Sequence, residues 1–398
     1  MTTDFAATKR QFHLPEGLIY LDGNSLGPLP KTAAARVAQA ITGEWGELLI
    51  RGWNKAGWMD MPTKVGNRVA RLIGAEAGHV VMGDTLSIKV YQALASALQL
   101  APSRRVILSD TGNFPSDLYM AQGLAQTLGA DYRLKTVAPE AVLAAIDETV
   151  AVVMITEVDY RSGRRHDMAA LSKRAHEVGA LIVWDLAHSA GAFPLNVAKD
   201  GADFAVGCSY KYLNSGPGGP AFIYVAPRHA NKVQPALSGW LGHDAPFAFD
   251  PDYRPAAGVE RMRVGTPPIL QLAALEAALD IWDTVDLHDL RAACLSLGDR
   301  FIAGVEAACP TLRLVTPRAH DQRGSQISFA HPEGYAIMQA LIAQGVIGDF
   351  RAPDILRFGI TPLFVGQAEI DGAIAALSQI MASGSWDKPE FKARAKVT

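Results

Sequence analysis

The sequence has little cysteine, little net charge and no long apolar run. Three cysteines at wide spacings, Cys208, Cys294 and Cys309, form neither a disulfide framework nor a zinc-binding pattern, so we expect no metal site. With 37 basic and 40 acidic residues, the chain lacks the positive field that attracts nucleic acid or anionic lipid. No apolar run reaches the roughly 18 residues of a membrane span, and the first 19 residues lack the pattern of a secretion signal. These absences favour a cytoplasmic protein without a nucleic-acid or membrane partner.

The sequence does contain enough apolar material for a large core, since 49% of its 398 residues are hydrophobic. Continuous apolar runs are typical of strands buried on both faces of a parallel sheet. Such runs occur at 79–82, 105–108, 150–155, 181–184, 204–206 and 221–225. Stretches with helical spacing lie between several of them, at 91–100, 117–128 and 168–178. We therefore predict an α/β fold whose large domain has a mainly parallel sheet wrapped by helices.

A change of pattern near residue 280 predicts a second, smaller domain. An apolar-periodic stretch at 269–285 predicts a helix leaving the large domain, after which strands and helices alternate as a separate set. That set comprises stretches at 312–315, 326–330, 337–343, 355–358 and 368–381. We predict an N-terminal segment at 1–45 that packs on both domains, a cofactor-binding large domain at 46–280, and a C-terminal α+β domain at 281–398.

Lys211 has the most distinctive surroundings of any polar residue in the chain. It lies between two tyrosines and ahead of a glycine-rich turn, whereas an isolated loop lysine is nearly always a solvent-exposed charge. Apolar and aromatic neighbours desolvate an amine and favour its neutral form, which can bond to a carbonyl cofactor. Asp185 ends the apolar run 181–184 and could either hold a protonated pyridine nitrogen or cap a turn. Together the two residues indicate pyridoxal phosphate.

Three more residues stand where that cofactor could be contacted. Ser87 lies at the start of a predicted helix, a position that suits a phosphate but that an N-cap serine also occupies. Phe114 could set its ring against a planar cofactor, although a phenylalanine taken alone is more often part of the core. His188 follows Asp185 by one short turn, at a strand end of the kind where ligands bind in open α/β sheets.

Six blocks of the sequence, spread through nearly the whole chain, form a recognisable set. They are Tyr-Leu-Asp-Gly-Asn-Ser-Leu-Gly at 20–27, Asn-Phe-Pro-Ser-Asp at 113–117, Asp-Leu-Ala-His-Ser-Ala-Gly at 185–191, Tyr-Lys-Tyr-Leu-Asn at 210–214, Gly-Trp-Leu-Gly-His at 239–243 and Arg-Phe-Gly-Ile-Thr-Pro at 357–362. With these blocks, the sequence resembles the kynureninases, a family of fold-type I pyridoxal-phosphate enzymes in the aspartate aminotransferase superfamily. The run at 239–243 is typical of this family rather than of the superfamily.

The resemblance implies catalytic and cofactor-binding roles. Lys211 would bond the cofactor and move the Cα proton, Asp185 would pair with the pyridine nitrogen, and Tyr210 would donate a proton to Cβ. The residues implied to contact the cofactor are Leu86, Ser87, Phe114, Pro115, Ser116, Asp117, Thr156, Asp185, His188, Tyr210, Lys211, Trp240 and Thr266.

The resemblance also implies the substrate and the assembly. The family hydrolyses L-kynurenine to anthranilate and L-alanine, in tryptophan degradation or NAD biosynthesis. Ser25, Trp53 and Arg357 would bind the substrate, with Arg357 as a fork on its α-carboxylate. Trp240 and Thr266 would reach in from the second subunit of a homodimer. Since Trp53 and the pair Gly265-Thr266 stand where members that favour 3-hydroxykynurenine carry a histidine and a Ser-Asn pair, we expect 3-hydroxykynurenine to be the poorer substrate.

Two other functions fit part of the pattern. A cysteine desulfurase or selenocysteine lyase shares the aspartate, histidine and lysine layout but needs an exposed, mobile cysteine. Cys309 is the candidate for that role, because Cys208 and Cys294 fall in a predicted buried strand end and an amphipathic helix. A non-catalytic pyridoxal-phosphate-binding protein is the third possibility, which a yellow protein that leaves kynurenine unchanged would indicate.

Overall fold

The computed structural model describes residues 2–394. Its strands, in chain order, are β1 (Phe12–His13), β2 (Ile19–Tyr20), β3 (Leu29–Pro30), β4 (Val80–Met82), β5 (Val106–Asp110), β6 (Arg133–Val137), β7 (Val150–Thr156), β8 (Leu181–Asp185), β9 (Phe204–Gly207), β10 (Phe222–Val225), β11 (Arg313–Leu314), β12 (Gln326–Ala330), β13 (Val346–Ile347), β14 (Asp349–Arg351) and β15 (Ile355–Gly359).

The α-helices are α1 (Phe5–Arg10), α2 (Lys31–Gln39), α3 (Gly52–Lys55), α4 (Met61–Ile73), α5 (Leu86–Leu100), α6 (Pro115–Leu128), α7 (Val142–Ala145), α8 (Met168–Glu177), α9 (Pro227–Ala230), α10 (Ile269–Trp282), α11 (Leu287–Ala308), α12 (Gly334–Ala343), α13 (Gln367–Ser383) and α14 (Pro389–Lys392). A π-helix spans Ala40–Leu48, and 3-10 turns lie at Leu49–Arg51, Pro139–Ala141, Trp240–Gly242, Pro246–Ala248, Gly258–Met262 and His320–Gln322. No helix of the described residues is long and apolar enough to cross a membrane.

A seven-stranded sheet forms the centre of the fold, in the order β4-β10-β9-β8-β7-β5-β6. The five strands from β9 to β6 pair in parallel, while β10 pairs antiparallel with both β9 and β4. Alternate residues of β7 enter different core clusters, Val153 and Ile155 on one face and Val152 and Met154 on the other. Both faces are therefore buried under helices, which explains the continuous apolar runs. The predicted mainly parallel α/β sheet is confirmed.

A smaller four-stranded sheet, in the order β11-β12-β15-β14, follows in the C-terminal part and is antiparallel throughout. The long helix α11 packs against α13 and the strands β11 and β12. The antiparallel pairing sets Asp349 opposite Arg357. As a result, the small sheet presents charged side chains toward the large one.

The N-terminal segment contacts both the C-terminal part and the loop that carries Lys211. Its strand β2 pairs in parallel with β13, and Phe12 packs edge-to-face on Phe364, so it joins the C-terminal part. Farther along, the backbone N–H of Gly27 donates to the carbonyl of Tyr210 at 2.8 Å. A loop of this segment therefore rests on the backbone next to Lys211.

Candidate active site

The carboxyl ends of the parallel strands meet at one edge of the large sheet and form a cavity. Its volume is about 190 Å³. Strand β7 ends at Thr156 and β8 at Asp185, while Lys211 follows β9 after a short loop. Parallel strands place their carboxyl ends at the same edge, which is why residues far apart in sequence converge there. The residues that line the cavity are Ser25, Leu86, Phe114, Thr156, Tyr160, Asp185, Ala187, His188, Tyr210, Lys211, Arg351 and Arg357.

Lys211 reaches into this cavity between two aromatic rings. Its Nζ lies 5.9 Å from the ring centroid of Phe114 and 5.9 Å from that of Tyr210. The Phe114 ring is 41% exposed and packs edge-to-face on Tyr160, with centroids 5.1 Å apart. Phe114 is thus not a core residue, and its free face is turned toward the space in front of the lysine.

Two buried carboxyl groups stand opposite the lysine. Burial, and then the neighbouring Asp185, raises the pKa of Asp117 well above its usual value. Burial also raises the pKa of Asp185, but the Lys211 ammonium opposes that rise. Asp117 therefore holds the proton of the pair, and Asp185 carries the negative charge. The Thr156 hydroxyl donates to Asn113 Oδ1 and lies 3.3 Å from Asp185 Oδ2.

Asp185 combines the two roles that its sequence position allows. Its Oδ1 accepts the backbone N–H of Ala187 at 2.8 Å, so the carboxylate does cap the turn after β8. Its Oδ2 lies beside the hydroxyl of Thr156, on the side of the cavity. One oxygen fixes the side chain, and the other remains for a ligand.

His188 is buried on the floor of the cavity and is held by a residue of the small sheet. Its Nδ1 lies 2.8 Å from Oε1 of Gln326, the first residue of β12. Burial, with the positive charges of Lys211 and Arg357, lowers the pKa of His188 well below its usual value, so the imidazole is neutral. Nothing in the sequence near Gln326 marks it as a site residue, because its contact with His188 spans 138 positions.

The amino end of helix α5 supplies backbone N–H groups beside the cavity. Its N-cap is Thr85, in extended conformation, and no side chain of the described residues caps the helix there. The alternative that Ser87 is the N-cap is therefore wrong, since Ser87 lies within the first turn. Leu86 opens the helix and lines the cavity. Free N–H groups and the positive end of the helix dipole suit an anion such as a phosphate.

Arg357 lies at the opposite end of the cavity, in a network that includes an internal carboxylate. Its Nε donates to Asp349 Oδ1 at 2.7 Å, and its Nη2 donates to Ser25 Oγ at 2.7 Å. Its Nη1 donates to the carbonyl of Tyr160 at 2.6 Å. Arg351 donates to the same Asp349 at 2.6 Å, while its buried Nε has no hydrogen-bond partner among the described residues.

Asp349, Arg351 and Tyr160 are site residues that the sequence analysis did not identify. A signal was present for two of them: Asp349 and Arg351 alternate on one strand, and Asp349 pairs directly with Arg357 on the next. Charges that alternate with period two lie on one face of a strand. Ser25 and Arg357, both predicted to bind the substrate, contact each other in the structure.

Tyr210 contributes a phenol that keeps its proton. The Cys208 thiol beside it, followed by burial and the carboxylates Asp185 and Asp117, raises the pKa of Tyr210. All of these neighbours disfavour a phenolate, so the hydroxyl can act as a proton donor. Cys208 itself is buried, and burial raises the pKa of its thiol as well.

Trp53, Trp240 and Thr266 lie away from the cavity of the single chain, and Ser87, Pro115, Ser116 and Asp117 do not line it either. Trp53 and Trp240 pack against each other with ring centroids 6.3 Å apart, in an aromatic row defined by Trp53, Trp58, Trp240, Phe247 and Phe249. Thr266 lines a different cleft with Lys89. Among the remaining predicted residues, Pro115, Ser116 and Asp117 form the first turn of α6, and Asp117 is buried.

All three cysteines are buried, including Cys309, which is 1% exposed. The exposed, mobile thiol that a desulfurase requires is therefore missing at the position where the sequence allowed one.

The cavity fits pyridoxal phosphate by the chemistry of its lining. An amine, an ionised carboxylate and an aromatic face surround the space, with a helix amino end at one side. The buried Oδ2 of Asp117 also has no hydrogen-bond partner among residues 2–394, as expected of a group next to a ligand-binding position.

Comparisons with known proteins agree with this chemistry. A family model described as the kynureninase C-terminal domain matches residues 290–377. The kynureninase of Burkholderia pseudomallei (strain 1106a) is 51% identical over 99% of this chain and 96% of its own length. The kynureninase of Pseudomonas fluorescens is 50% identical over the same shares.

Solved structures share the fold at low sequence identity. An apo cysteine desulfurase from Thermococcus onnurineus NA1 has a TM-score of 0.81 at 19% identity, over 96% of this chain and 99% of its own. A C-DES mutant with glycine covalently linked to the PLP cofactor has a TM-score of 0.80 at 19% identity, over 93% and 98% of the two chains. At this identity the solved structures show only the fold. The two kynureninases, by contrast, are about half identical to this chain in sequence, so neither alternative function is favoured. The chain belongs to the kynureninase family of pyridoxal-phosphate-dependent hydrolases.

Proposed function

We propose that this chain hydrolyses L-kynurenine to anthranilate and L-alanine by cleaving the Cβ–Cγ bond next to the aryl ketone. The observation that carries the proposal is that an amine, an ionised carboxylate and a carboxylate-binding arginine line one cavity: Lys211, Asp185 and Arg357. These are the groups that a reaction on an α-amino acid requires at one place.

When bound, pyridoxal phosphate supplies a ring that accepts electrons from the carbons next to the substrate amine. Asp185 would hold its ring nitrogen, with Asp117 and Thr156 behind. Phe114 and His188 would lie along the ring. Leu86, Ser87 and Tyr210 would hold the phosphate at the amino end of α5, assisted by Pro115 and Ser116 and, from a second subunit, by Trp240 and Thr266.

Two residues would move the protons. Lys211 would take the Cα proton, because it is the one amine among residues 2–394 that lines the cavity. Water would then add to the ketone carbon. Collapse of the resulting hydrate would break the Cβ–Cγ bond and release anthranilate, while Tyr210 donates a proton to Cβ, since its neighbours keep the phenol protonated.

Arg357 and Ser25 would hold the substrate α-carboxylate. All three guanidinium nitrogens of Arg357 already donate within the protein, two of them to the Asp349 carboxylate. Ser25 Oγ and the partly exposed edge of Arg351 face the same space. A substrate carboxylate would therefore join a prearranged network rather than meet a free arginine.

The assay is formation of fluorescent anthranilate from L-kynurenine by the purified yellow protein. Replacing Lys211 by Ala should lower kcat/KM by roughly 10⁴-fold or more, because no other residue lining the cavity can supply the amine. The matched control is K173A, which removes an exposed lysine from α8. Unchanged bond cleavage in K211A would refute the proposal.

We also propose that L-kynurenine is preferred over 3-hydroxykynurenine. Trp53 and the pair Gly265-Thr266 offer few hydrogen-bond partners to a ring hydroxyl. On binding, the hydroxyl of 3-hydroxykynurenine would therefore lose its hydrogen bonds to water without gaining hydrogen bonds to the protein. The expected ratio of kcat/KM values is roughly 10- to 100-fold in favour of L-kynurenine. A higher kcat/KM for the hydroxylated substrate would contradict this preference.

The working form that we propose is a cytoplasmic homodimer that acts in tryptophan degradation or NAD biosynthesis. The aromatic row supports the dimer, because Phe247 is 61% and Phe249 79% exposed, and Trp240 lies beside them. If Trp240 reaches the cavity of a partner subunit, Trp53 would lie near that cavity too, because the two indole rings are in contact. Within each subunit we propose the divisions 1–45, 46–280 and 281–398.

A further inference from the structure

Gln326 joins the small sheet to the cavity floor through a fully buried amide. Its Oε1 lies 2.8 Å from Nδ1 of His188. Its Nε2 donates to the carbonyl of Tyr160 at 2.9 Å and to that of Asp159 at 3.3 Å. The side chain is 0% exposed, so water does not compete for any of these contacts.

The orientation of this amide is determined by its neighbours. Backbone carbonyls can only accept hydrogen bonds, so the nitrogen of the amide must face Tyr160 and Asp159. A flipped amide would set its oxygen against two carbonyl oxygens and leave buried groups unpaired. The oxygen of Gln326 must therefore face His188.

The proton on His188 follows from that orientation. Because Oε1 of Gln326 can only accept, Nδ1 of His188 must donate and must carry a hydrogen. Of the charged groups near this ring, Lys211, Arg357 and Arg351 have the largest effect on its pKa, and all three are positive. They oppose a second proton, so Nε2 keeps its lone pair.

We propose that Gln326 is a positioning residue that fixes His188 as the Nδ1–H tautomer, so that Nε2 meets the bound ligand as a hydrogen-bond acceptor. The same amide holds the Tyr160 carbonyl, which accepts from Arg357 Nη1 at 2.6 Å. One residue of the small sheet thereby sets both the histidine under the cofactor site and the backbone partner of the arginine. The part of this inference that concerns a ligand rests on the proposed function, whereas the tautomer does not.

The test is a long-range ¹H–¹⁵N correlation spectrum of histidine side chains in the full-length protein, with and without pyridoxal phosphate. The His188 signal is assigned by its loss in H188N. We expect a protonated Nδ1 and an unprotonated Nε2 that do not change between about pH 6 and pH 8. A hydrogen on Nε2, or an ordinary titration near pH 6.5, would overturn the inference.

Two variants separate the glutamine's role from general disturbance of β12. In Q326L the fixed tautomer should be lost, and in Q326E a carboxylate facing the ring should stabilise the imidazolium and bring its titration into the observed range. The matched control is S328A on the same strand, because the buried Ser328 hydroxyl has no partner among the described residues. An unchanged Nδ1–H signal in Q326L would show that the glutamine does not determine it.

Turnover provides an independent measurement. Q326L should lower kcat/KM for L-kynurenine by about 10- to 100-fold, the range found when the outer hydrogen-bond partner of a functional histidine is removed. S328A should remain close to the unmodified protein. If the unmodified protein does not cleave kynurenine, the proposed function fails, while the tautomer measured by NMR still decides the role of Gln326.

Discussion

Asp22 is a half-buried carboxyl group whose proton is linked to folding. Burial, and then the nearby negative charge of Asp349, raises its pKa from 3.8 to about 7. Its Oδ1 is buried without a hydrogen-bond partner among residues 2–394, which agrees with a poorly stabilised anion. The folded protein therefore keeps a proton that the unfolded chain releases near pH 4.

The consequence is a loss of stability as the pH rises. Below the unfolded pKa both states hold the proton, and between about pH 4 and pH 7 the folded state binds more protons than the unfolded state, so the free energy of unfolding falls. D22N should remove this dependence and be more stable than the unmodified protein above pH 7, by on the order of a few kcal/mol. Thermal midpoints at pH 5 and pH 8 measure the effect. D131N, at an exposed position, is the control, and an unchanged pH slope in D22N would count against the assignment.

Single residues were predicted where chemistry and local context coincide. Lys211 between tyrosines and Asp185 at a strand end could be recognised in this way, and both line the cavity. Gln326 could not, because an amide side chain in a strand has no local mark of function, and the alternation of Asp349 with Arg351 gives their common face but not the partner that the face meets. Their importance comes from pairings across strands and between sheets, which only the folded chain brings together.

At the scale of the elements, the loop at 22–30 packs directly against the segment 210–214, here called the lysine segment, which carries Lys211. A Cβ on Gly27 would lie 2.4 Å from the carbonyl oxygen of Lys211 and 2.8 Å from Cα of Asn214. These are backbone atoms, and Asn214 has a φ of 60°, so the segment has little freedom to move away. The loop and the lysine segment must therefore shift together if a side chain is added.

G27A should displace Lys211 and lower both stability and activity. Overpacking of this kind costs about 1–3 kcal/mol, and a shift of the lysine by a fraction of an ångström should reduce kcat/KM by roughly 100-fold. The control is G123A in α6, where an added Cβ would meet no atom of the described residues within 4 Å. Thermal midpoints and anthranilate formation should both change in G27A and remain near normal in G123A; equal behaviour of the two variants would contradict the packing argument.

Strands buried on both faces were predictable, whereas the partly buried edge strand β6 of the large sheet was not. The six apolar runs correspond to β4, β5, β7, β8, β9 and β10. The edge strand β6 was missed because it contains Arg133 and Lys135 and is only partly buried, so it has no continuous apolar run. The antiparallel direction of β10 also has no signature in the sequence, because a buried strand reads alike in either direction.

At the scale of the whole molecule, the aromatic row should lie in the interface of the proposed homodimer. Large exposed aromatic side chains that contact one another are typical of surfaces that bind a partner. The double variant F247D/F249D should place charges in that interface and shift the protein toward monomers, with at least a roughly 10-fold loss of activity. Light scattering after size-exclusion chromatography measures the mass, and L143D, at an exposed apolar residue of α7, is the control. A dimer of unchanged mass and activity in the double variant would remove the row from the interface.

The proposed homodimer would explain why some predicted site residues lie away from the cavity of one chain. Trp53, Trp240 and Thr266 were assigned to the site through the family resemblance, yet the cavity of a single chain is lined without them. A residue that acts in the site of a partner subunit makes no contact within its own subunit from which that role could be inferred.

The salt bridge between Asp349 and Arg357 has a consequence for competing solutes. Asp349 balances only one of the two guanidinium groups, Arg351 and Arg357, that pair with it, so one positive charge at this end of the cavity is left for an incoming anion. A sulfate or chloride ion can use that charge as well as a substrate carboxylate can, so discrimination must come from shape and from simultaneous capture of the amino group, and high concentrations of small anions should weaken substrate binding.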